Sequence, residues 1–285
     1  MANATLGYIL HSGKNSKAGY YLKAGFRDIL PDSLFRRCLQ RELDTCVRLY
    51  DEQYVQNRVD APRPLGTDAT SIGSLKRSGN ASTYYYYSRQ LLQCTSPTLR
   101  WNYLFGDIRD IPPHPTIVKS RSIELDNSSS VLLKLDRCRH YVYLDDHRPF
   151  EAKADRAILR GQMGSRKKHI LFYQHLDYRY IMALEGNDVA SNQRWIMSSN
   201  SLAVMPRPTC ETWLKEERLV SSVHYMEVAS DFSNLEAQLD YYRNHPKEAT
   251  VVAANANRYV QQFRDERRER YIELLVMQKY FSITQ

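Results

Sequence analysis

Two aspartates just past a short aromatic run are the first residues of this sequence whose types and spacing suggest chemistry. Trp101 to Phe105 predicts a strand, which ends in the loop Gly106-Asp107-Ile108-Arg109-Asp110-Ile111-Pro112-Pro113. Loops at the carboxyl ends of strands are where α/β proteins place catalytic groups, so Asp107 and Asp110 are candidate catalytic carboxylates. The alternative is that either aspartate only forms a turn with its own backbone.

A second candidate site is the stretch from Tyr180 to Pro208, whose pattern is typical of a phosphate-binding βαβ unit. Its elements follow one another as strand Tyr180 to Leu184, turn Glu185 to Asp188, helix Val189 to Ser199 and strand Leu202 to Met205. In such a unit the turn leads to a helix N-terminus, whose free N–H groups suit a phosphate. Most strand-glycine-helix turns bind nothing, so an ordinary capped helix is the alternative.

A glycine followed by cations lies upstream of that unit. Ala157 to Leu159 predicts a strand that runs into Arg160-Gly161, and the basic residues Arg166, Lys167 and Lys168 come next. These groups could face a diphosphate. They could equally be the solvated start of a surface helix.

The elements that must position these residues predict two domains. Strands alternate with helices through the second half of the chain, which predicts a parallel α/β domain there, whereas the first half is mixed. The polar segment Asp145 to Asp155 contains Pro149 and is the candidate linker. We therefore place an N-terminal domain at residues 1–150 and a C-terminal domain at residues 151–285.

Several further elements follow from periodicity and from helix start signals. Apolar residues recur at helical spacing between Gly19 and Arg58, and a Ser-x-x-Glu capping box at Ser233 begins another helix. A helix from about Arg267 to Phe281 closes the chain. The further β-like runs are Ile117 to Arg121, Val131 to Leu135, Tyr141 to Leu144 and Val223 to Val228.

Composition limits the function classes without selecting one. The chain has 285 residues, a formal net charge of +8 and a pI near 9.1, which favours polyanionic partners such as nucleic acid, anionic lipid or nucleotide phosphates. Its five cysteines form no CxxC pair, so neither a zinc knuckle nor a disulfide framework is indicated. The N-terminal sequence has no run long enough for a signal peptide or a membrane span, and we expect a cytoplasmic protein.

The motifs taken together resemble glycosyltransferase family 90. The resemblance runs from about Trp101 to the C-terminus, is nearest to the bacterial branch and is loose over the first hundred residues. The motifs that carry it, in chain order, are Phe105 to Pro112, Ile117 to Arg121, Leu159-Arg160-Gly161, Glu185 to Asp188, Pro206-Arg207-Pro208 with Glu211-Thr212-Trp213, and Val223-His224-Tyr225.

The resemblance implies a fold and a reaction. The fold is GT-B-like α/β, with two Rossmann-like domains facing across a cleft and a C-terminal helix that packs back on the first domain. The reaction transfers a hexose, such as glucose or galactose, from a UDP-sugar to a hydroxyl group of a glycan, with inversion. The resemblance implies that no metal ion takes part. It also implies no cofactor, since the UDP-sugar counts as a donor substrate. The C-terminal domain holds the donor and the N-terminal domain receives the acceptor.

The resemblance also assigns roles to individual residues. It makes Asp110 the general base that takes the proton of the acceptor hydroxyl, with Asp107 in reserve. Arg160, Gly161 and Arg166 match an arginine-glycine loop that neutralises the departing diphosphate. Glu185 is placed to hold ribose hydroxyls, and Gly186 to let the backbone approach. Ser191, Asn192 and Arg194 complete the set at the start of the following helix.

The expected partners follow from the same comparison. They are a UDP-sugar, a glycan or glycolipid acceptor for which lipopolysaccharide core is favoured, and the inner face of the membrane as a peripheral contact suited to a basic surface. No nucleic acid is expected. One departure is that Gln174 to Asp177 joins the helix after Arg160-Gly161 almost directly to the strand before Glu185, where the family has some tens of residues.

Two alternative functions remain open from the sequence. One is a non-enzymatic binder of polyanions, in which the +8 charge and the 21 tyrosines hold nucleic acid, although no nucleic-acid motif is present. The other is a transferase relic that keeps the fold but has lost catalysis, which the shortened donor region would explain.

Overall fold

The computed structural model describes residues 17–35 apart from 33, 63–75, 82–135 apart from 125, residue 137, 141–159 and 172–285. These residues belong to two compact units. The parallel-sheet unit contains 141–159, 172–209 and 214–264. The mixed-sheet unit contains the described residues from 17 to 137 together with 210–213 and 265–285.

The strands of the described residues are short. In chain order they are β1 (Thr70–Ser71), β2 (Arg100–Tyr103), β3 (Thr116–Val118), β4 (Ser120–Ser122), β5 (Ser130–Leu132), β6 (Ala154–Leu159), β7 (Tyr178–Met182), β8 (Leu202–Met205), β9 (Cys210–Thr212) and β10 (Met226–Glu227).

The helices are longest toward the C-terminus. In chain order they are α1 (Lys17–Ile29), α2 (Ser82–Leu92), α3 (Phe172–His175), α4 (Gln193–Met197), α5 (Leu235–Asn244), α6 (Pro246–Gln261) and α7 (Glu266–Thr284). Across the described residues, none of these helices combines the length and the apolar composition needed to cross a bilayer.

The parallel-sheet unit is built on four strands in the order β10-β8-β7-β6, and every pair in it is parallel. All four residues of β8 are buried, as expected for a central strand with both faces covered. Helices α5 and α6 contribute Leu239, Tyr242, Ala249 and Val252 to the core cluster that also contains Tyr180, Leu202 and Val204 from the sheet. The prediction of a parallel α/β arrangement in this half of the chain is therefore confirmed.

The mixed-sheet unit has a four-stranded sheet in the order β1-β2-β3-β5, in which β2, β3 and β5 are parallel and β1 is an antiparallel edge. Strands β4 and β9 form a separate antiparallel ribbon, which brings residues 210–212 beside residues 120–122. A buried ion pair between Arg121 and Glu211, with 2.7 Å between Nε and Oε1, joins the two strands of this ribbon.

The segment Asp145 to Asp155, predicted as a linker, instead lies inside the parallel-sheet unit. Asp146 and Lys153 form an ion pair of 2.6 Å whose side chains are almost completely buried. Lys153 also donates to the carbonyl oxygen of Leu176 and to Ser201 Oγ, and Phe150 belongs to the core. The linker prediction is wrong because these charges, which suggested a solvated segment, satisfy each other within the fold.

Four local predictions also need correction. Ile117 to Arg121 is divided at Lys119 into β3 and β4, and Val223 to Val228 keeps only the two residues of β10. Tyr141 to Leu144 forms no strand. The backbone N–H of Leu144 donates to a side chain, Ser198 Oγ, and not to a neighbouring strand. The helix predicted after Ser233 exists as α5, but Asn234 occupies its N-cap and the capping box does not form.

The closing helix α7 is fixed within the mixed-sheet unit by buried polar contacts. Glu269 Oε2 forms an ion pair with Lys134 Nζ at 2.6 Å and accepts a hydrogen bond from Trp213 Nε1 at 2.6 Å. Glu273 accepts from the backbone N–H of Lys134 and from the hydroxyl of Tyr87. Burial lowers the pKa of Lys134 and raises the pKa of Glu273, so these charged groups depend on one another in the folded state.

Replacing Lys134 with methionine is expected to destabilise the protein by about 3–5 kcal/mol, because it removes the buried cation beside Glu269 and Glu273. Denaturant unfolding at pH 8 measures this change. The matched control is Glu266→Gln, which breaks the ion pair with Arg137 at a glutamate that is 72% exposed and should change stability by less than about 1 kcal/mol. Equal effects of the two substitutions would contradict the role given to the buried cluster.

Candidate functional site

A cavity of about 270 Å³ lies at the carboxyl end of the parallel sheet. Its lining comes from the loops that follow three adjacent strands, β7, β8 and β10. Ligands of open α/β sheets bind in crevices at this edge. The described lining residues are Ala183, Leu184, Glu185, Ala190, Gln193, Met205, Pro206, Arg207, Pro208, Thr209, Ser230 and Phe232.

A larger cavity of about 470 Å³ lies in the same unit but away from the strand ends. Its lining comes mainly from α5 and α6, including Gln238, Tyr241 and Val251. Size alone would favour this cavity. We assign the functional site to the smaller one, because loops from several parallel strands converge there.

Glu185 connects the loops after β7 and β8. Its Oε1 accepts from the backbone N–H of Thr209 at 2.9 Å, and its Oε2 accepts from Thr209 Oγ1 at 2.5 Å. A carboxylate has about four acceptor positions, which is the chemistry that suits the hydroxyl groups of a ligand. The structure therefore places Glu185 in the lining of the cavity and holds its carboxylate in one orientation.

Other polar groups border the same cavity. Arg207 is exposed on the loop after β8 and brings a cation to the lining. Gln193 is only 3% exposed, and among the described residues its Nε2 has no hydrogen-bond partner. Phe232 is 36% exposed and has a backbone φ of 60°. The cavity thus combines an anion, a cation, a buried amide and an accessible aromatic ring.

The helix predicted over Val189 to Ser199 is much shorter in the structure. Helix α4 covers only Gln193–Met197, and the residues on either side form turns. Asn, Asp and Ser at both ends compete for the backbone and explain the shortening. The prediction of a full helix is wrong, and so short a helix has too small a dipole to serve as the main phosphate site.

The other residues predicted near this helix lie outside the described lining. Gly186 and Ser191 are exposed, and Asn192 Nδ2 donates to the carbonyl oxygen of Met182 at 3.0 Å. Arg194 is buried with its guanidinium 4.1 Å from the ring centre of Tyr141. The structure therefore brings Glu185 to the cavity and places Asn192 and Arg194 in contacts that support the fold around it.

Arg160, Gly161 and Arg166 lie outside the described residues. The strand that precedes them ends at Leu159, whose register partner is Met182. Because β6 and β7 are parallel, the chain leaves β6 at the same sheet edge as the loop that carries Glu185. The roles of Arg160, Gly161 and Arg166 stay predictions.

The two candidate catalytic aspartates follow β2 in the mixed-sheet unit. The loop that joins the strand to them contains Gly106, whose φ of 133° favours glycine. Asp107 is held by Lys119, with 2.5 Å between Oδ1 and Nζ, and the lysine side chain is only 4% exposed. Asp110 is exposed, and no described residue forms a hydrogen bond or an ion pair with it.

Sequence reasoning missed Gln193, Thr209, Ser230 and Phe232 as lining residues. A usable signal existed for three of them, since Thr209 follows Pro206-Arg207-Pro208 after β8, and Ser230 and Phe232 follow β10. The rule that ligands lie at the carboxyl ends of parallel strands covers each of these loops. Gln193 had no such signal, because its burial depends on how α4 packs.

Two comparisons with known proteins bear on this chain. The family model described as Glycosyl transferase family 90 matches residues 137–284. The O-glucosyltransferase LpsA of Dichelobacter nodosus is 34% identical over 307 aligned positions, which cover 94% of this chain and 96% of that protein. Since the chain has 285 residues, at least 22 of those 307 positions face a gap in it.

Glu185→Ala is expected to loosen the loop after β8 without unfolding the protein. Charge-assisted hydrogen bonds contribute about 1.5–3 kcal/mol, so exchange of the Thr209 amide hydrogen should accelerate about tenfold or more. Hydrogen–deuterium exchange read by mass spectrometry measures this rate. Glu236→Ala, at an exposed position on α5, is the control and should leave it unchanged. Unchanged protection of Thr209 in Glu185→Ala would refute the link between the two loops.

Proposed function

The chain belongs to glycosyltransferase family 90, and from that premise we propose that it transfers a glucosyl residue from a UDP-sugar to a hydroxyl group of a glycan. The printed name of the Dichelobacter relative, an O-glucosyltransferase, supports glucose as the sugar. Inversion at the anomeric carbon, independence of metal ions and a GT-B arrangement of two domains belong to the same proposal. The observation that carries it is the cavity at the carboxyl edge of the parallel sheet, within the region that the family model matches.

The donor nucleotide is proposed to bind in this cavity. Ligand pockets typically measure about 300–1,000 Å³, so a space of about 270 Å³ suits part of a nucleotide sugar. Glu185, oriented by Thr209, would accept hydrogen bonds from the ribose hydroxyls. Arg160 and Arg166 would neutralise the diphosphate as it leaves, because charge that develops in a site without a metal ion must be stabilised by protein groups.

Asp110 is proposed as the general base. It would take the proton of the acceptor hydroxyl while that oxygen bonds to the anomeric carbon and the bond to the UDP oxygen breaks on the opposite face. The ion pair of Asp107 with Lys119 favours Asp110 over Asp107, since a carboxylate held by an ammonium is a weaker proton acceptor. Asp107 would then keep the loop after β2 in place.

Lipopolysaccharide core is the proposed acceptor, and the reaction would take place at the inner face of the membrane. The net charge of +8 supports this choice, because basic proteins are attracted to anionic glycolipids and to the negative surface of the cytoplasmic leaflet. Attachment would be peripheral.

An inactive relic of a transferase is the second candidate function. It is favoured by the aligned positions that face gaps in this chain and by the direct connection through Gln174 to Asp177. A relic would keep the fold and lose turnover. Binding and transfer therefore have to be measured separately.

UDP-glucose is expected to stabilise the protein against heat. A ligand at one hundred times its Kd adds about 2.7 kcal/mol to the stability of the folded state, which raises the Tm in a thermal-shift experiment. GDP-mannose is the control donor and should give a much smaller shift. A protein that no UDP-sugar stabilises would contradict the proposed donor.

Asp110→Asn is expected to bind UDP-glucose normally and to lose glucosyl transfer. General-base catalysis typically contributes about 10²–10⁴-fold, so transfer of labelled glucose to truncated lipopolysaccharide should fall by that factor. Asp126→Asn is the matched control, since Asp126 is an exposed aspartate of the same unit that accepts from the backbone N–H of Ser128.

The corresponding Asp107→Asn variant tests the assignment between the two aspartates. We expect a smaller loss of transfer, because removing the charge weakens the contact with Lys119 but leaves the base in place. If Asp110→Asn transferred glucose at nearly the wild-type rate and Asp107→Asn did not, Asp107 would be the general base and Asp110 would not. Binding without transfer in the wild-type protein would favour the relic.

A further inference from the structure

Phe232 carries two unfavourable features in one residue. Its backbone lies in the left-handed region, with φ of 60°, where a bulky residue costs on the order of 1–3 kcal/mol. Its ring is also 36% exposed, on the lining of the cavity. Strain of this kind persists only where the surroundings impose it, and it is concentrated at functional sites.

The turn that contains Phe232 shows how the strain is imposed. The N–H of Phe232 donates to the carbonyl oxygen of Ala229 at 2.8 Å, and its own carbonyl oxygen accepts from Leu235 at 3.0 Å. Asn234 Oδ1 accepts from the N–H of Ala229 at 2.7 Å, which closes the turn a second time. These hydrogen bonds fix the backbone of Phe232 and so hold its ring at the cavity.

Gln193 adds a polar group to the cavity that the Phe232 ring also lines. Its side chain lines the same cavity and is 3% exposed, and among the described residues its Nε2 has no hydrogen-bond partner. Buried donors are nearly always paired, so an unmade bond at the wall of a cavity points to a ligand that completes it. The group required is an acceptor such as a carbonyl oxygen.

An aromatic face and a buried amide donor together match a flat heterocycle with carbonyl oxygens on its edge. Proteins recognise unstacked nucleobases in this way, by stacking on aromatic rings and by hydrogen bonds to the base edge. Resting on the proposed function, we infer that Phe232 and Gln193 form the uracil subsite of the donor, with the ring stacking on the base and Nε2 donating to its O4 oxygen. Glu185, on the same lining, is then left for the ribose.

The subsite also discriminates between pyrimidines. Cytosine presents an amino group where uracil has its O4 oxygen, and an amide N–H cannot donate to that amino group. Uridine nucleotides are therefore preferred over cytidine nucleotides through Gln193. This preference is a readout that a purely structural role of Gln193 would not produce.

The test measures UMP and CMP binding by calorimetry in three proteins: wild type, Gln193→Met and Phe232→Gly. Methionine keeps the length of the side chain and removes the unpaired donor, and glycine tolerates the φ of 60°. We expect Gln193→Met to weaken UMP binding about 3- to 10-fold and to abolish the preference for UMP over CMP. Phe232→Gly should weaken both nucleotides about 10-fold or more. Neither variant should lower the Tm of the free protein.

Two matched controls use the same substitutions elsewhere in the unit. Gln238→Met changes a glutamine of α5 that lines the larger cavity, and Ser222→Gly changes another residue with a positive φ, of 59°. Both should bind UMP as the wild type does.

The outcomes separate this inference from the proposed function. If the wild-type protein transfers glucose from UDP-glucose and both cavity variants bind UMP normally, the uracil subsite is overturned and the proposed function stands. If the wild type neither binds UMP nor uses a UDP-sugar, both are overturned. A lower Tm in Gln193→Met with unchanged selectivity would make Gln193 a packing residue and overturn its part of the inference.

Discussion

The parallel pairing of β6, β7, β8 and β10 is the constraint on which the candidate site depends. Parallel strands in register end at one edge, and the register of Met182 with both Leu159 and Val204 fixes where each loop leaves the sheet. The loops that carry Glu185, Arg207 and Phe232 therefore meet around one cavity although they are separated along the chain. A slip of one residue in any pair would turn that strand's buried side chains to the other face and displace the loop after it.

Patterns that depend on neighbouring residues could be predicted from the sequence, and contacts made at long range could not. The apolar runs of β7 and β8 and the closing helix α7 were recognisable because burial repeats along them. The segment from Asp145 to Asp155 was misread as a linker, because the partner that buries each charge is visible only after folding. The candidate site divides in the same way: Glu185 followed from its position after a strand, whereas the burial of Gln193 is a property of tertiary packing.

The alignment with the Dichelobacter protein is longer than this chain. More aligned positions than residues means that this chain lacks segments that the relative has, while the four parallel strands and the cavity lining are present. Loss of surface segments is tolerated when the strands that define the core remain, because loops add little to the buried apolar area. If the cavity holds the donor as proposed, fewer residues would share its recognition, and each polar group of the lining would contribute more to it.

The course of the polypeptide has a consequence for its biosynthesis. The mixed-sheet unit contains α2 and β2 from the first part of the chain, but it also needs β9 and the closing helix α7, where Tyr280 accepts from the backbone N–H of Asn102 and donates to the carbonyl oxygen of Pro115. Domains usually fold in order as they emerge from the ribosome. The described residues that are translated first therefore belong to the unit that is completed last. Its nascent strands stay incompletely covered while the parallel-sheet unit is translated, and a ribosome that stalls late would leave the mixed-sheet unit without its closing helix.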